Sequence, residues 1–260
     1  MQFSRISAVM QRHLLLTFRT FDKFSNIIYW PLINIVIWGI TGIWLQNESS
    51  DLSIAFALLT GLSLWQIVVR VNVETAKGIW EELLSQNVVN LFSTPLTFIE
   101  WITAIFLLGL LNMILVTVST SLFIYLFYSI NIFALGWIIM PLAFSLLISG
   151  WSIGLILCTF FILWGRSAQD LVYMIVWAFA PFSAVYYPLD VMPLWVQKIA
   201  YLFPMAYVFE SMRTTLMTGI PAITPLLISL ALNFFYFALL LWLFWRMFEK
   251  SRSLGLARLQ

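Results

Sequence analysis

Residues 78–95 read GIWEELLSQNVVNLFSTP, a short acidic, half-polar stretch set between two long apolar runs. At about 100° per residue, Trp80, Leu83, Leu84, Val88 and Leu91 fall on one half of a helix, and Glu81, Glu82, Ser85 and Gln86 on the other. Asn87, Val89 and Phe92 depart from this pattern, so the amphipathicity is moderate. Thr94-Pro95 closes the stretch, because proline disfavours helix in the residue before it. Its surroundings give the interruption its meaning. The chain is 62% hydrophobic and only 9% charged, with mean hydropathy +0.98. A soluble domain carries about a quarter charged residues, so this composition cannot clothe a water-facing surface. The solvent is a bilayer, and the 260 residues suit one membrane domain.

Composition also narrows the chemistry. The single Cys158 sits in an apolar run and allows no disulfide within one chain. His13 is the only histidine, so neither a His/Cys metal site nor a Ser-His-Asp arrangement in the membrane is indicated. No Gly-x-x-x-x-Gly-Lys run is present to cradle a nucleotide. The net charge of +2 is too small to point to nucleic acid. The first residues, with charges spread along them, do not read as a cleavable signal.

Six apolar runs have lengths near the 20 or so residues that cross a hydrocarbon core as helix: Ile27–Leu45, Ile54–Val73, Trp101–Tyr128, Ile132–Trp164, Leu171–Val185 and Leu226–Phe248. The expected fold is an all-α polytopic membrane protein. The fourth run contains Pro141, Gly150 and Gly154, which predict a kink or strong tilt. With six spans both termini share a side. That side holds Arg5, Arg12, Arg19, Lys23, Arg70, Lys77, Arg166, Arg246, Lys250, Arg252 and Arg258, and the other only Lys198 and Arg213. The bias places both ends in the cytoplasm of a plasma membrane. Between the last two runs, Pro188–Pro221 is apolar enough to enter a bilayer, yet Pro193 and Pro204 divide it into pieces too short to span. It reads as a re-entrant helical hairpin over residues 190–217 on the outer side, or as a surface-lying pair of helices.

Three further features stand out. Arg5, Arg12 and Arg19 recur every seven residues, with Ile6, Val9, Met10, Leu14 and Leu16 largely elsewhere around the helix. They predict an interfacial amphipathic helix within residues 1–24. Arg70, Glu74 and Lys77 share a helix face near the cytoplasmic end, while Glu210 and Arg213 lie three apart in the hairpin. A lone charge at the bilayer centre costs about 3 kcal/mol on insertion scales, so the latter two are expected to pair with each other or with polar groups. Gly150-Trp-Ser-Ile-Gly154 permits close helix approach, and Asn34, Gln66, Asn112 and Asn233 suit interhelical hydrogen bonds.

Taken in order, WGRSAQD (Trp164–Asp170) and PFSAVYYPLDVMPLWVQKIAYLFPMAYVFESMR (Pro181–Arg213) resemble the ABC-2 type permeases, the transmembrane subunits of ATP-binding-cassette exporters. The matching positions are Gly165-Arg166, Tyr187-Pro188, Pro193, Trp195, Pro204, Glu210 and Arg213. The resemblance spans nearly the whole chain; each motif is loose, and their order and spacing carry it. It implies a dimer, expected to be a homodimer, that binds two copies of a cytoplasmic ATPase. This chain would bind no cofactor, and ATP with Mg would sit in the partner. It further implies that residues 78–91 are a coupling helix, with Trp80, Glu81, Glu82, Leu83, Leu84, Val88 and Leu91 as the contact set, and that the N-terminal helix contacts the ATPase too. The outer hairpin becomes an exit gate built on Pro188, Pro193, Trp195, Pro204, Glu210 and Arg213. The pathway is expected near spans one, two and five, at Trp38, Trp65, Gln66, Trp177 and Tyr186. The implied cargo is an amphiphilic or lipid-linked molecule, with a polysaccharide of O-antigen type as the alternative. An intramembrane transferase on lipid-linked substrates and a noncatalytic membrane scaffold are the competing classes.

Overall fold

Hydrocarbon offers no partner to a bare N–H or C=O, so a chain of this composition satisfies its backbone within helices. The structure, a computed structural model, describes residues 2–19, 21–49, 52–85 and 94–253, and among these every regular element is helical. The order is α1 (Phe3–Arg19), α2 (Phe21–Ser49), α3 (Leu52–Leu84), α4 (Phe98–Tyr128), α5 (Ile139–Trp164), α6 (Leu171–Phe179), α7 (Leu194–Ala200), α8 (Pro204–Thr218) and α9 (Ile223–Ser253), with 3₁₀ turns before α5, on either side of α6 and before α7.

Four stretches among the described residues are long and apolar enough to cross a membrane: Ala55–Leu84, Phe98–Tyr128, Ile132–Trp164 and Ile223–Ser253. The expected first span lies within α2, which runs 29 residues. The expected fifth departs from a single full-length helix. Its apolar helical stretch ends at Phe182, where Pro181 enters a tight turn, and at 1.5 Å per residue its length falls short of a core about 30 Å thick. The anticipated break in the fourth run is also placed differently. Gly136 leaves helical geometry at φ 71°, ψ −149°. Pro141 sits in the first turn of α5, where a missing N–H costs little. Gly150 and Gly154 remain inside an unbroken helix.

Those two glycines serve packing instead. A Cβ on Gly150 would lie 2.8 Å from Val71 Cβ, and one on Gly154 would lie 2.4 Å from Thr75 Cβ. Glycine therefore lets α5 press against α3, the central helix, which also packs on α2 and α4. On its other flank α5 is joined to α9 by a buried polar cluster. Ser145 Oγ and Ser229 Oγ are 2.8 Å apart. Asn233 Nδ2 donates to Ser145 O at 2.9 Å, and Ser149 Oγ donates to Asn233 Oδ1 at 2.8 Å. In a membrane, where burial of apolar groups against lipid offers no driving force, such close backbone contacts and hydrogen bonds hold helices together.

Two large apolar clusters result among the described residues, beside a small one of Ala184, Leu189, Ala200 and Ala206. One joins Ile35, Leu59, Trp65, Leu146, Phe209 and Met212. The other joins Val73, Ile79, Leu83, Trp101, Phe161, Phe244 and Phe248, with Val9, Met10 and Leu14 of α1 packed on it. Outside them, Ile37, Ile40 and Trp44 of α2, Ile114, Val118 and Leu122 of α4, and Phe234 and Phe235 of α9 are exposed, as a lipid-facing surface requires.

Candidate functional site

Among the described residues, the ion pairs with a buried member gather in two places. One is the corner where α1 meets the end of α3 and the start of α4. The other is the segment before α7 and the helix α8.

At the corner, the seven-residue spacing of arginines puts Arg5 and Arg12 on one stripe of α1. Of its apolar residues, Ile6, Val9, Met10 and Leu14 turn to the protein's own core, while Leu15 and Leu16 are exposed. Arg12 Nη1 and Nη2 donate to Glu82 Oε1 and Oε2 at 2.6 and 3.1 Å. This two-pronged pair fixes direction as well as distance. His13 Nδ1 lies 3.7 Å from Glu81 Oε2. Burial pushes the His13 pKa below its ordinary value, and the attraction of Glu81, Glu74 and Glu82 opposes that shift without reversing it. One turn from the start of the chain, Arg5 Nη1 donates to Pro95 O at 2.6 Å and to Glu100 Oε2 at 3.5 Å, and Gln2 N donates to Glu100 Oε1 at 2.8 Å.

Glu100 is itself the third residue of a capping box. Its Oε2 accepts from Thr97 N at 3.1 Å, and Glu100 N donates to Thr97 Oγ1 at 3.3 Å. Both Glu82 and Glu100 are only 2% exposed. α1 thus straps the two ends of the connector between α3 and α4, through Glu82 on one side and Glu100 on the other. Lys77 and Glu74 pair at 3.7 Å one turn deeper.

The anticipated contact helix 78–91 takes a different form here. Residues 78–84 are the last turns of α3, continuous with the apolar run before them. Gly78 does not break the helix; Ile105 lies over it, 2.7 Å from where a Cβ would stand. Glu82 and Leu83 are buried in this chain, Trp80 and Glu81 are half-buried, and Leu84 is 45% exposed. Val88 and Leu91 lie outside the described residues. Arg19 ends α1 and is exposed.

The second place is built on α8. Pro193 and Pro204 each start a helix: Pro193 precedes α7, and Pro204 is the first residue of α8, the position where fixed φ and a missing donor suit a helix. Glu210 and Arg213 pair at 3.1 Å, as their spacing predicts. Arg213 Nη2 also donates to Ala184 O and to Tyr187 O at 3.3 Å, while Glu210 Oε1 accepts from Leu189 N at 2.9 Å. The pair therefore clamps backbone 184–189. Ala184 is held at φ +58°, a left-handed conformation that an L side chain adopts only under surrounding restraint. Pro188 lies half-buried in this segment, and Trp195 is exposed on α7.

Of the anticipated pathway residues, the fold brings two together. Trp38 on α2 and Tyr186 stack with ring centroids 4.8 Å apart and planes at 25°. Trp65 is buried against Phe209 of α8 at 6.3 Å, Gln66 is buried beside it in sequence, and Trp177 is 47% exposed on α6. The sequence reading passed over Glu100 and the role of His13. A signal for the first existed in Thr97-x-x-Glu100, the spacing of a capping box. None existed for the second, because the partner lies 68 residues away on another helix. No protein-family model matches this chain, and no curated protein matches it.

Proposed function

We propose that this chain is the permease subunit of an ATP-driven exporter of the ABC-2 type, working as a dimer with a separate cytoplasmic ATPase. The observation that carries the reading is the strapped corner. A chain with little exposed charge spends two ion pairs, Arg5–Glu100 and Arg12–Glu82, and the buried His13 beside Glu81, on bracing one connector at the side assigned to the cytoplasm. A brace of that kind suits an element that receives force from a soluble partner. Leu84 and the connector beyond it are the proposed contact.

Support for transmission comes from α3. Its 33 residues make a rod of about 50 Å. One end holds Glu81 and Glu82. Toward the other, Trp65 touches Phe209, and Gly61 lies close to Val185 O, where an added Cβ would stand at 3.2 Å. Displacement at the corner is thereby delivered to the clamped segment 184–189 and to the Trp38–Tyr186 stack, which together serve as the outer gate. The ATPase biases the gate only by binding one arrangement of the corner more tightly than the other. The aromatic pair and the apolar surroundings suit an amphiphilic or lipid-linked cargo.

The test is capture of an ATPase from the native membrane by the tagged, cross-linked chain. Leu84→Asp is expected to abolish the capture while the protein remains folded in the membrane. Absence of any nucleotide-hydrolysing protein from the cross-linked wild-type complex would refute the proposal.

A further inference from the structure

A groove of about 420 Å³ lies between the start of α4 and the last turns of α9. Phe98, Trp245 and Phe248 form its apolar side, and Thr97, Glu249 and Arg252 its polar rim. The two helices meet beneath it through aromatic contacts, Phe98 with Phe248 at 5.1 Å and Phe106 with Phe237 at 5.4 Å. The neighbouring face of α9 carries Arg246 with its guanidinium 5.3 Å from the Trp242 ring centroid, and Lys250 follows one turn later. Tryptophan beside basic residues at the end of an apolar helix marks the boundary between hydrocarbon and water. The groove therefore opens where lipid headgroups lie, with its apolar side continuing into the exposed Ile99 and Trp245.

The rim has both signs. Glu249 and Arg252 face each other at 3.8 Å, with side chains 43% and 60% exposed. An ion pair so long and so wet contributes little, so a ligand that supplies a better partner to each charge replaces it at small cost. That ligand needs an anion and a hydrogen-bonding cation joined by a short link, together with a hydrocarbon tail. We propose that this groove binds a phospholipid with a primary-amine headgroup, of the phosphatidylethanolamine class, its phosphate received by Arg252 and its ammonium by Glu249. A phosphatidylcholine headgroup has no N–H to give to Glu249, and phosphatidylglycerol has no cation and meets its carboxylate with repulsion. The proposal stands independently of the transport reading.

The experiment reconstitutes the full-length chain in nanodiscs of equal parts phosphatidylethanolamine, phosphatidylcholine and phosphatidylglycerol, and measures the lipid retained on release by native mass spectrometry. The ethanolamine lipid is expected to be enriched roughly two- to five-fold over each competitor, the range an exposed ion pair supports. Glu249→Gln is expected to remove the preference over phosphatidylglycerol, and Arg252→Gln to reduce retention of all three. Arg246→Gln, outside the groove, leaves the preference unchanged. Equal retention by the wild type overturns the proposal. So does a preference that survives both rim substitutions. Loss of a co-purifying protein in those variants, with lipid retention unaltered, overturns it in favour of a protein contact.

Discussion

Arg12 on α1 holds the Glu82 carboxylate with both terminal nitrogens, at 2.6 and 3.1 Å, and the carboxylate is buried while the guanidinium is partly in water. The two partners are therefore unequal. Arg12→Gln takes a two-pronged partner from a buried carboxylate and is expected to cost about 1–3 kcal/mol. Glu82→Gln leaves a wetter cation behind and is expected to cost less. A double-mutant cycle on thermal unfolding in detergent checks the asymmetry; equal losses would contradict the burial argument.

His13 makes the same corner sensitive to pH. Burial lowers its pKa in the folded protein, whereas the unfolded chain takes up the proton near the ordinary value of about 6.5. The unfolded state binds more protons between the two values. Stability is thus fully present above about pH 6.5 and declines as pH falls below it. Unfolding midpoints measured from pH 7.5 to 5.5 should fall, and His13→Gln should flatten that part of the slope. A steeper fall in the variant would reverse the assignment.

Gly154 meets Thr75 with no room for a methyl group, the added Cβ standing 2.4 Å from Thr75 Cβ. Backbone must move to admit it. Gly154→Ala is expected to lose about 1–3 kcal/mol or more through overpacking, although alanine is the better helix former. A variant as stable as the wild type would show that α3 and α5 are not in contact along this face.

Arg213 brackets Tyr186 by donating to the carbonyls of Ala184 and Tyr187, and it pairs with Glu210. Arg213→Gln is expected to free segment 184–189 and part the Trp38–Tyr186 stack. Arg213→Lys restores the charge but not the planar fork, and should recover only part of the loss. Disulfide trapping between cysteines placed at Trp38 and Tyr186 reads the stack directly. Undiminished trapping in Arg213→Gln would disconnect the clamp from the aromatic pair.

Some of this was legible in the residues and some was not. The Glu210–Arg213 pair followed from a spacing of three on one helix, and the starts of α7 and α8 followed from Pro193 and Pro204. That the third helix runs on to Leu84 was not legible, because Gly78 and the carboxylates after it resemble the start of a fresh amphipathic helix. Local periodicity is identical whether a helix restarts or runs on; the continuous backbone through Gly78 tells the two apart, with Ile105 packed over that glycine. The apolar stripe of α1 was ambiguous for a related reason. It has the same pattern whether it rests on hydrocarbon or on the protein's own core, where Val9, Met10 and Leu14 pack.

Composition determined the solvent, with 62% hydrophobic residues, and the long unbroken apolar runs determined the helical class, since a lipid-exposed backbone satisfies its hydrogen bonds only in helices or in closed barrels of short alternating strands. Tertiary structure alone decided which charges on different helices meet. Arg12 and Glu82 are 70 residues apart, and Trp38 and Tyr186 are farther still. Contacts over such distances depend on how rigid helices stack, which no local pattern encodes.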